Sequence, residues 1–427
     1  MTNDQADDRA KGQTNERASD AQARGPGGRR RALSQDGGTA TVQGDKTAGA
    51  VLAAALAAIS PEEDDELTHG FHSYPARMHF GVARTLIDRL AGSNTRVLDP
   101  FCGSGTVLIE AFRRGLPATG FDLSPLALRI AEVKCARRDD AQVSEFSAKA
   151  KAVVQGSAER VEAKVRVRAP LLPDEREWYD PHVLLELAGL LAEIEALPDD
   201  FDRRALQIVL SSIVIKFSRQ RADTVDERVQ RHIAPGVPTQ FFGRKAEELA
   251  GRWATLAALV TKDAPRVQLR AGDARRLPQI IGPKRRYDLV VSSPPYGGTY
   301  DYVEHHRRRR AWLGLTARDL ERGEIGARRR MSDRNVTRDQ ALQLWDTEMS
   351  ETLISIAAVL SGPEAPVVLF VGDGEIAGKR VQAVEQLHRL ASAVGMHIVA
   401  SASLPRTDWQ GGRPRAEHLV QLQLDTK

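Results

Sequence analysis

The sequence predicts an α/β protein with a mostly parallel, doubly wound sheet, a C-terminal antiparallel hairpin and a helical insertion. In residues 96–135, short β-branched runs alternate with helical patterns around a glycine-rich loop. Later, the apolar run in Tyr287–Val291 stops at Ser293-Pro294-Pro295-Tyr296. Proline cannot donate to a sheet ladder, so this strand must end there, at the carboxyl edge where such sheets bind ligands.

Composition limits the classes of protein to consider. The chain has 427 residues, 61 basic and 57 acidic side chains, and a formal charge of +4, which leaves room for local basic patches. Two cysteines cannot form a disulfide framework, so a cytoplasmic location is expected. The longest apolar run, residues 48–59, is too short to span a bilayer, and we expect a helix there and no membrane partner.

The N-terminal third divides into a tail and the first half of the sheet. Residues 1–47 have almost no large apolar side chains and are expected to be disordered. Residues 48–135 are expected to form the N-terminal part of the catalytic domain. Its predicted elements are a strand at 96–98, a glycine loop, a helix at 107–114, a strand at 118–121 ending in Asp122, and a helix at 125–135.

Residues 136–265 interrupt this alternation and predict a helical insertion. Helical spacing of apolar residues occurs at 174–197, 203–217 and 244–260, with a polar stretch at 218–238. A basic stretch with aromatic neighbours could recognise a target, and a helix-packing extension is an equal alternative. Its residues are Lys216, Arg219, Arg221, Arg228 and Arg231, with Gln240, Phe241 and Phe242 nearby.

The sheet resumes in residues 266–427, the C-terminal part of the catalytic domain. Strands are predicted at 267–270, which leads to Asp273, at 287–291 and at 367–371, and a helix at 340–360. Residues 397–403 and 418–424 have the pattern of a closing antiparallel hairpin.

The glycine loop Asp99-Pro-Phe-Cys-Gly-Ser-Gly-Thr106 has the properties of a cofactor site. Gly103 and Gly105 allow close approach of the backbone to a ligand, and Thr106 is expected to cap the following helix. A dinucleotide site of the Rossmann type is the competing interpretation. However, the GxGxxG pattern is absent, and an Asp-Pro pair has no role in holding a pyrophosphate.

These motifs together resemble S-adenosylmethionine-dependent DNA amino methyltransferases of the SPPY type. DPFCGSGT resembles their cofactor motif, SPPY their catalytic motif, and HSYPAR the segment that completes the methionine pocket. The resemblance implies a Rossmann-like class I methyltransferase sheet and S-adenosyl-L-methionine as cofactor. It places Asp122 at the ribose and Asp273 at the adenine. The implied cofactor-binding residues are Tyr74, Pro75, Asp99, Phe101, Gly103, Gly105, Thr106, Asp122 and Asp273.

The resemblance also assigns the catalytic residues Ser293, Pro294, Pro295 and Tyr296. An exocyclic amino group is a poor nucleophile because its lone pair is conjugated with the ring. The Ser293 hydroxyl and the Pro294 carbonyl suit the acceptor role that frees this lone pair, and Tyr296 would stack on a flipped base. Methylation of cytosine C5 would need a cysteine thiolate instead, and Cys102 is better explained as a packing residue.

Serine in the first position of this motif favours cytosine N4, so the implied activity is that of a site-specific, cytosine-N4-specific DNA methyltransferase. Adenine-N6 methylation of DNA and guanosine-N2 methylation of tRNA are the alternatives. They are less favoured because enzymes of those two kinds typically have Asp or Asn in the first position of the motif. A non-catalytic nucleic-acid-binding protein on a relic fold is a further alternative.

Double-stranded DNA is the expected partner, and a cognate restriction endonuclease is a candidate one. Residues after the catalytic motif are expected to track phosphate, namely Arg307, Arg308, Arg310 and Arg329. His69, His72, His305 and His306 lack metal-ligand spacing with cysteines, so we expect no metal site. The sequence does not fix the recognition site, the oligomeric state or the choice between orphan, restriction-linked and phage-defence roles.

Overall fold

An eight-stranded sheet forms the centre of the structure. The structure is a computed structural model that describes residues 39–60, 67–74, 77–223, 225–282, 286–298, 301–333, 335–376, 379–406 and 415–426. Up to residue 135 its elements are β1 (Thr41–Gly44), α1 (Lys46–Ala57), α2 (Phe80–Leu90), β2 (Val97–Asp99), α3 (Thr106–Arg113), β3 (Ala118–Asp122) and α4 (Pro125–Lys134).

The insertion is mainly helical. Its elements are α5 (Asp140–Glu162), α6 (Pro173–Arg176), α7 (Pro181–Glu195), α8 (Phe201–Val214), β4 (Gln220–Ala222), β5 (Val225–Arg228) and α9 (Val237–Leu259). The helix predicted over 174–197 is two helices, because Pro181 starts a new one directly after the extended Asp180. The polar stretch at 218–238 contains the antiparallel pair β4–β5, which the sequence did not predict.

The remaining elements begin with β6 (Gln268–Ala271), a 3₁₀ turn (Ala274–Arg276), α10 (Leu277–Ile281), β7 (Leu289–Ser292), α11 (Tyr302–His305), α12 (Arg307–Trp312) and α13 (Arg318–Gly323). They continue with α14 (Arg328–Met331), α15 (Arg338–Ala357), β8 (Val367–Gly372), β9 (Gly374–Ile376), β10 (Lys379–Val381), α16 (Ala383–Ala393), β11 (Met396–Arg406) and β12 (Arg415–Leu424).

The order of the sheet confirms the predicted fold class. The strands lie in the order β6, β3, β2, β7, β8, β12, β11, β1. Pairing is parallel from β6 to β8 and antiparallel from β8 to β1. Every residue of β7 and β8 is buried, as expected for strands covered on both faces. The chain reverses its winding direction at the pair β2–β7, so a crevice opens at the carboxyl ends of these strands.

The N-terminal boundary differs from the expectation of disorder up to residue 47. Residues 1–38 lie outside the described part of the chain. Thr41–Gly44 forms β1, which pairs with residues Ala400 to Ser403 of β11. Asp45 then caps α1 by accepting a hydrogen bond from the amide of Ala48 at 2.8 Å. Composition missed this strand because its four residues are exposed and gain their stability from pairing with a distant segment.

The insertion packs around its own apolar core and also against the sheet domain. Trp253 of α9 is fully buried and contacts Phe146 of α5 edge to face, with ring centroids 4.8 Å apart. Its indole donates a hydrogen bond to the carbonyl of Val133 in α4 at 2.8 Å. The domain boundaries 48–135, 136–265 and 266–427 stay a prediction. Within the described ranges, no helix is long and apolar enough to cross a membrane.

Candidate active site

The loop after β2 holds its shape through hydrogen bonds to β3. The amide of Cys102 donates to the carbonyl of Phe121 at 2.9 Å, and Gly103 and Gly105 both have positive φ, at 48° and 88°. A Cβ at Gly103 would lie 3.2 Å from Cε1 of Tyr74, so the backbone passes close to that ring. A Cβ at Gly105 would lie 3.1 Å from Cβ of Ala131, so Gly105 serves packing against α4.

One cavity at the crevice collects most of the residues that the sequence singled out for the two substrates. These residues are Tyr74, Asp99, Phe101, Gly103, Thr106, Asp122, Asp273, Ser293 and Pro295. Gly105 packs against α4 and does not line this cavity, and Pro75 lies outside the described residues. The cavity therefore joins the carboxyl ends of β2, β3, β6 and β7, which is where a ligand bound by an open α/β sheet is expected.

Asp99 ends β2 and faces Ser292, the last residue of β7. The Ser292 hydroxyl donates to Oδ1 of Asp99 at 2.6 Å, and the amide of Phe101 donates to the same oxygen at 3.2 Å. Burial raises the pKa of Asp99 to about 7, although these two hydrogen bonds act in the opposite direction. Ser292 therefore joins the two motifs physically, and the sequence analysis did not single it out.

Asp122 ends β3 and holds two turns of backbone. Its Oδ2 accepts from the amide of Gly103 at 2.9 Å, and its Oδ1 accepts from the amide of Ser124 at 2.7 Å. Burial raises the pKa of Asp122 to about 6 against the effect of these amides. Each oxygen keeps a lone pair for a further donor, which suits the two hydroxyls of a ribose.

Asp273 follows β6 and pairs with Arg275, an arginine that the sequence analysis did not single out. The Arg275 guanidinium lies 2.6 Å from Oδ2 of Asp273, and the Arg275 amide donates to Oδ1 at 2.9 Å. The same guanidinium donates to the carbonyl of Gly323 at 3.2 Å. Asp273 thus has an internal cationic partner beside the cavity.

The start of α3 is suited to a polar ligand. Thr106 does not cap this helix as expected: Gly105 is the N-cap, in the left-handed conformation, and Thr106 is the first helical residue. Thr106 lines the cavity, and its buried hydroxyl has no hydrogen-bond partner in the described part of the chain. A buried hydroxyl without a partner is costly, so this position is a candidate for a contact with a polar ligand.

The catalytic loop divides between two cavities. Ser293 lines the main cavity, Pro294 and Tyr296 line a smaller one, and Pro295 lines both. The side chain of Tyr296 is 4% exposed and packs against Gly372, where a Cβ would lie 2.7 Å from Cε2 of the ring. The smaller cavity also contains Trp345.

Four residues that the sequence analysis did not single out also line the main cavity. We call residues 318–331, which include α13 and α14, the roof segment; its Leu320, Gly323, Glu324 and Ile325 line the cavity. Glu324 is buried and accepts hydrogen bonds from the amide of Tyr302 and from Arg329. Burial raises the pKa of Glu324, although the bond from Arg329 opposes this rise.

Glu348 of α15 ties the roof segment to the cofactor side of the cavity. Its Oε2 accepts from the amide of Gly326 at 2.9 Å, and its Oε1 lies 2.8 Å from Arg330 and 3.5 Å from Arg275. Since Arg275 also binds Asp273, the roof segment and the end of β6 share one charged network.

The predicted nucleic-acid-binding arginines after the catalytic loop contact other groups of the protein. Arg307 lies 2.8 Å and Arg308 3.2 Å from Glu175, and Arg308 lies 3.7 Å from the centroid of the Trp178 ring. Arg310 donates to the carbonyl of Val303, and Arg329 binds Glu324. Phosphate contacts by these four residues stay a prediction, and in this conformation Arg308 and Arg310 are buried.

Arg309, which was not among the predicted nucleic-acid-binding residues, forms a buried ion pair with Asp223. Its guanidinium lies 2.7 and 3.0 Å from the two oxygens of Asp223, and both side chains are at most 3% exposed. Asp223 also accepts a hydrogen bond from Ser73, next to Tyr74, at 3.4 Å. The insertion is thereby joined to the catalytic loop and to the edge of the cofactor cavity.

The histidines near the site have protein partners of their own. His69 lies 2.8 Å from Glu110, and His72 lies 3.0 Å from the Ser211 hydroxyl. His306 packs against Tyr74 with ring centroids 4.7 Å apart. Among the described residues, no group of three or more His, Cys, Asp or Glu side chains is arranged to hold a metal ion.

Comparison with known proteins gives three findings. The model of the family "UPF0020: RMKL-like, methyltransferase domain" matches residues 72–164. Type II methyltransferase M.MvaI of Kocuria varians is 23% identical over 320 residues, which covers 68% of each chain. Type II methyltransferase M.MjaII of Methanocaldococcus jannaschii is 32% identical over 81 residues, 19% of this chain and 15% of that relative. The chain is an S-adenosylmethionine-dependent methyltransferase.

The solved structures include an S-adenosylmethionine-dependent methyltransferase from Methanosarcina mazei, with 10% identity and a TM-score of 0.32 over 83% of this chain and all of that one. The family match spans the glycine loop and the ends of β2 and β3, where the cavity lies. The expected resemblance to DNA methyltransferases is confirmed by the two relatives, and S-adenosyl-L-methionine is the cofactor of this methyltransferase.

Proposed function

We propose that this methyltransferase modifies double-stranded DNA at the exocyclic amino group of a base, with cytosine N4 as the target. One observation carries the proposal: Ser293 and Pro295 line the same cavity as the residues assigned to the cofactor. The two relatives named as Type II methyltransferases support DNA as the substrate. A cognate restriction endonuclease and a cytoplasmic location stay predictions.

The residues of the cavity divide into a cofactor side and an acceptor side. On the cofactor side, Asp122 is the candidate for the ribose hydroxyls, and the start of α3 with Thr106 is the candidate for a polar group. S-adenosylmethionine, when bound, supplies an electrophilic methyl group. The protein then needs no covalent nucleophile of its own, and Cys102 is buried with a pKa that burial raises well above its usual value.

The acceptor side acts on the amino group of the target base. The Ser293 hydroxyl and the Pro294 carbonyl are proposed to accept hydrogen bonds from its two N–H groups, which draws the lone pair out of conjugation with the ring. Two consecutive prolines restrict the backbone and fix the direction of this carbonyl. The hydrogen bond between Ser292 and Asp99 holds the start of this loop against the cofactor loop at 2.6 Å.

Stacking of a flipped base on Tyr296 requires a local rearrangement. The Tyr296 ring is buried against Gly372, and Trp345 occupies the neighbouring wall of the smaller cavity. A base that enters must therefore displace one of these rings or insert between them. This step would follow base flipping, for which the protein supplies an aromatic surface.

The decisive experiment is sequencing of modified bases in the genome of a host that carries either the wild type or Ser293→Ala. We expect N4-methylcytosine at a fixed sequence with the wild type and a rate roughly 100-fold lower with the variant, since one positioned hydrogen-bonding group is lost. Retained binding of S-adenosylmethionine by Ser293→Ala is the control for folding. Modified adenines in place of cytosines would refute the assignment of the base.

In vitro labelling separates the substrates. The wild type should transfer label to duplex DNA, and label found only in tRNA would refute the proposal in favour of guanosine N2. The variants Asp99→Ala and Ser293→Ala should both lose transfer to DNA. If both variants kept the biological function of the wild type, a non-catalytic nucleic-acid-binding role would replace the proposed activity.

A further inference from the structure

The basic residues of the insertion fall into two groups in the structure. Four of the five that the sequence singled out form an ion pair or a hydrogen bond with another group of the protein. Arg219 pairs with Asp180, Arg221 with Glu227 at 2.7 Å, Arg228 with Glu177 at 3.3 Å, and Arg231 donates to the carbonyl of Gln220 at 3.1 Å. Lys216 is exposed and forms no ion pair within the described ranges, and the same holds for Arg244 of α9.

These two cations lie against one aromatic ring. Nζ of Lys216 is 4.6 Å and Cζ of Arg244 is 5.2 Å from the centroid of the Phe241 ring. Phe217 contacts the same ring edge to face at 5.6 Å and holds it in place. We call Lys216, Phe241 and Arg244 the cationic clamp.

The clamp holds two positive charges at defined positions before any ligand is present. Cation–π contacts restrict both flexible side chains, so less conformational entropy is lost when a ligand binds. Within the described ranges neither cation forms an ion pair, so each charge keeps its full attraction for an anion.

The clamp is linked to the entrance of the active-site cavity. Lys216 lies two residues after the end of α8, whose Ser211 hydroxyl lies 3.0 Å from Nε2 of His72. Arg244 lies in α9, and the adjacent Lys245 donates to the carbonyl of Phe71 at 3.0 Å. Both helices therefore hold the segment 71–74, which ends at the cavity-lining Tyr74.

We infer that the cationic clamp binds phosphate groups of duplex DNA on the flank of the target base. This inference rests on the proposed function and assigns the DNA contact of the insertion to residues other than its paired arginines. Lys and Arg contacts to phosphate supply the salt-dependent part of DNA affinity, and they fix the register of a protein on the duplex. The clamp would thus position the duplex while the cavity receives the flipped base.

The test measures the affinity of the full chain for a short fluorescent duplex over a range of salt concentrations. The variant Lys216→Ala/Arg244→Ala should lower the slope of log affinity against log salt by about 2, since each phosphate contact contributes about 0.9. We expect binding roughly tenfold weaker at physiological salt. Lys216→Arg/Arg244→Lys keeps both charges and should retain the wild-type slope.

The matched control is Arg166→Ala/Arg168→Ala. It removes two exposed cations from the loop between α5 and α6, and within the described ranges neither forms an ion pair. Its slope should equal that of the wild type, and thermal unfolding should show that all variants fold. The inference is overturned if the clamp variant keeps the wild-type slope, if the control loses as much, if the wild type has no affinity for duplex, or if only tRNA binding is weakened.

Methyl transfer to the duplex is read separately with the wild type. Label on DNA together with an unchanged slope of the clamp variant overturns the inference and leaves the proposed function standing. A reduced slope without any label on DNA overturns the proposed function and leaves the clamp as a phosphate-binding surface.

Discussion

Two features of the environment of Asp99 have opposite effects on its pKa. Its Oδ1 accepts hydrogen bonds from Ser292 and from the Phe101 amide, which favour the carboxylate, whereas burial favours the neutral acid. Burial dominates and raises the pKa of Asp99 to about 7. Burial thus shifts the ionisation of this carboxyl group towards neutral pH.

This raised pKa predicts a pH dependence of stability. The unfolded chain ionises Asp99 near its ordinary pKa, whereas the folded chain keeps it protonated until about pH 7. The free energy of unfolding therefore falls as the pH rises from about 4 to about 7, by at most about 4 kcal/mol for this group. Above about pH 7 this contribution stays constant. Asp99→Asn should remove this loss.

The measurement is thermal unfolding of the ligand-free protein between pH 4 and pH 8. The unfolding midpoint of Asp99→Asn should exceed that of the wild type at pH 8 and approach it near pH 4. Asp263→Asn, at an exposed position, is the control and should follow the wild type. Parallel curves for the wild type and Asp99→Asn would contradict this prediction.

Among the elements, α12 depends on the insertion for its position. Arg309 of α12 forms a buried, bidentate ion pair with Asp223, which lies in the connection between β4 and β5. Trp312 donates to the Tyr179 hydroxyl at 3.0 Å. The element that follows the catalytic loop is thereby fixed to a segment far away in the chain.

Asp223→Asn should lower the free energy of unfolding by about 3–5 kcal/mol, because it leaves the Arg309 guanidinium buried without a counter-charge. Urea unfolding at equilibrium measures this difference. The matched control is Glu227→Gln in the neighbouring strand, whose partner Arg221 is exposed, and it should leave the unfolding curve unchanged. An equal loss in both variants would show that the insertion is not held by the buried pair.

The same elements show what the sequence could predict. The strands β7 and β8 were recognisable because their residues are apolar and buried on both faces. The cofactor loop was recognisable because two closely spaced glycines indicate a backbone with positive φ. The sequence does not distinguish arginines that form internal ion pairs from arginines that are available to a ligand, because both occur in the same basic stretches. The partner of Arg309 lies 86 residues earlier, and nothing local points to it.

The site followed the same rule. Asp99, Asp122, Asp273 and Ser293 end strands that neighbour one another in the sheet, so their meeting in one cavity follows from topology. The cavity-lining residues of the roof segment gave no signal, because they follow no strand and carry no glycine-loop or proline motif. Ser292 was hidden for another reason: its role depends on the exact point at which β7 ends.

For the whole molecule, the cavity unites segments that are distant in the chain. Residues from 99–107, 272–274 and 320–325 line it together, so one ligand contacts the end of β2, the end of β6 and the roof segment. Such a ligand should raise the free energy of unfolding of the entire domain. At 100 times its dissociation constant the gain is about 2.7 kcal/mol.

Hydrogen exchange with and without S-adenosylmethionine checks this coupling. Amides in 99–107, 272–274 and 320–325 should exchange more slowly with the ligand, because all three segments become more protected by one binding event. Residues 147–158 of α5, which do not line the cavity, are the internal control. Unchanged exchange in 320–325 would show that the roof segment is not part of the cofactor site.

The strand β1 has a practical consequence for anyone who shortens this chain. Composition suggests a cut at residue 47, but that cut would remove Thr41–Gly44 and uncover the outer hydrogen-bonding groups of β11 from Ala400 to Ser403. β11 is eleven residues long, and an uncovered edge of that kind pairs readily with the edge of another molecule. A truncated protein would then self-associate for a reason unrelated to its native assembly, whereas a cut before residue 39 keeps the sheet edge capped.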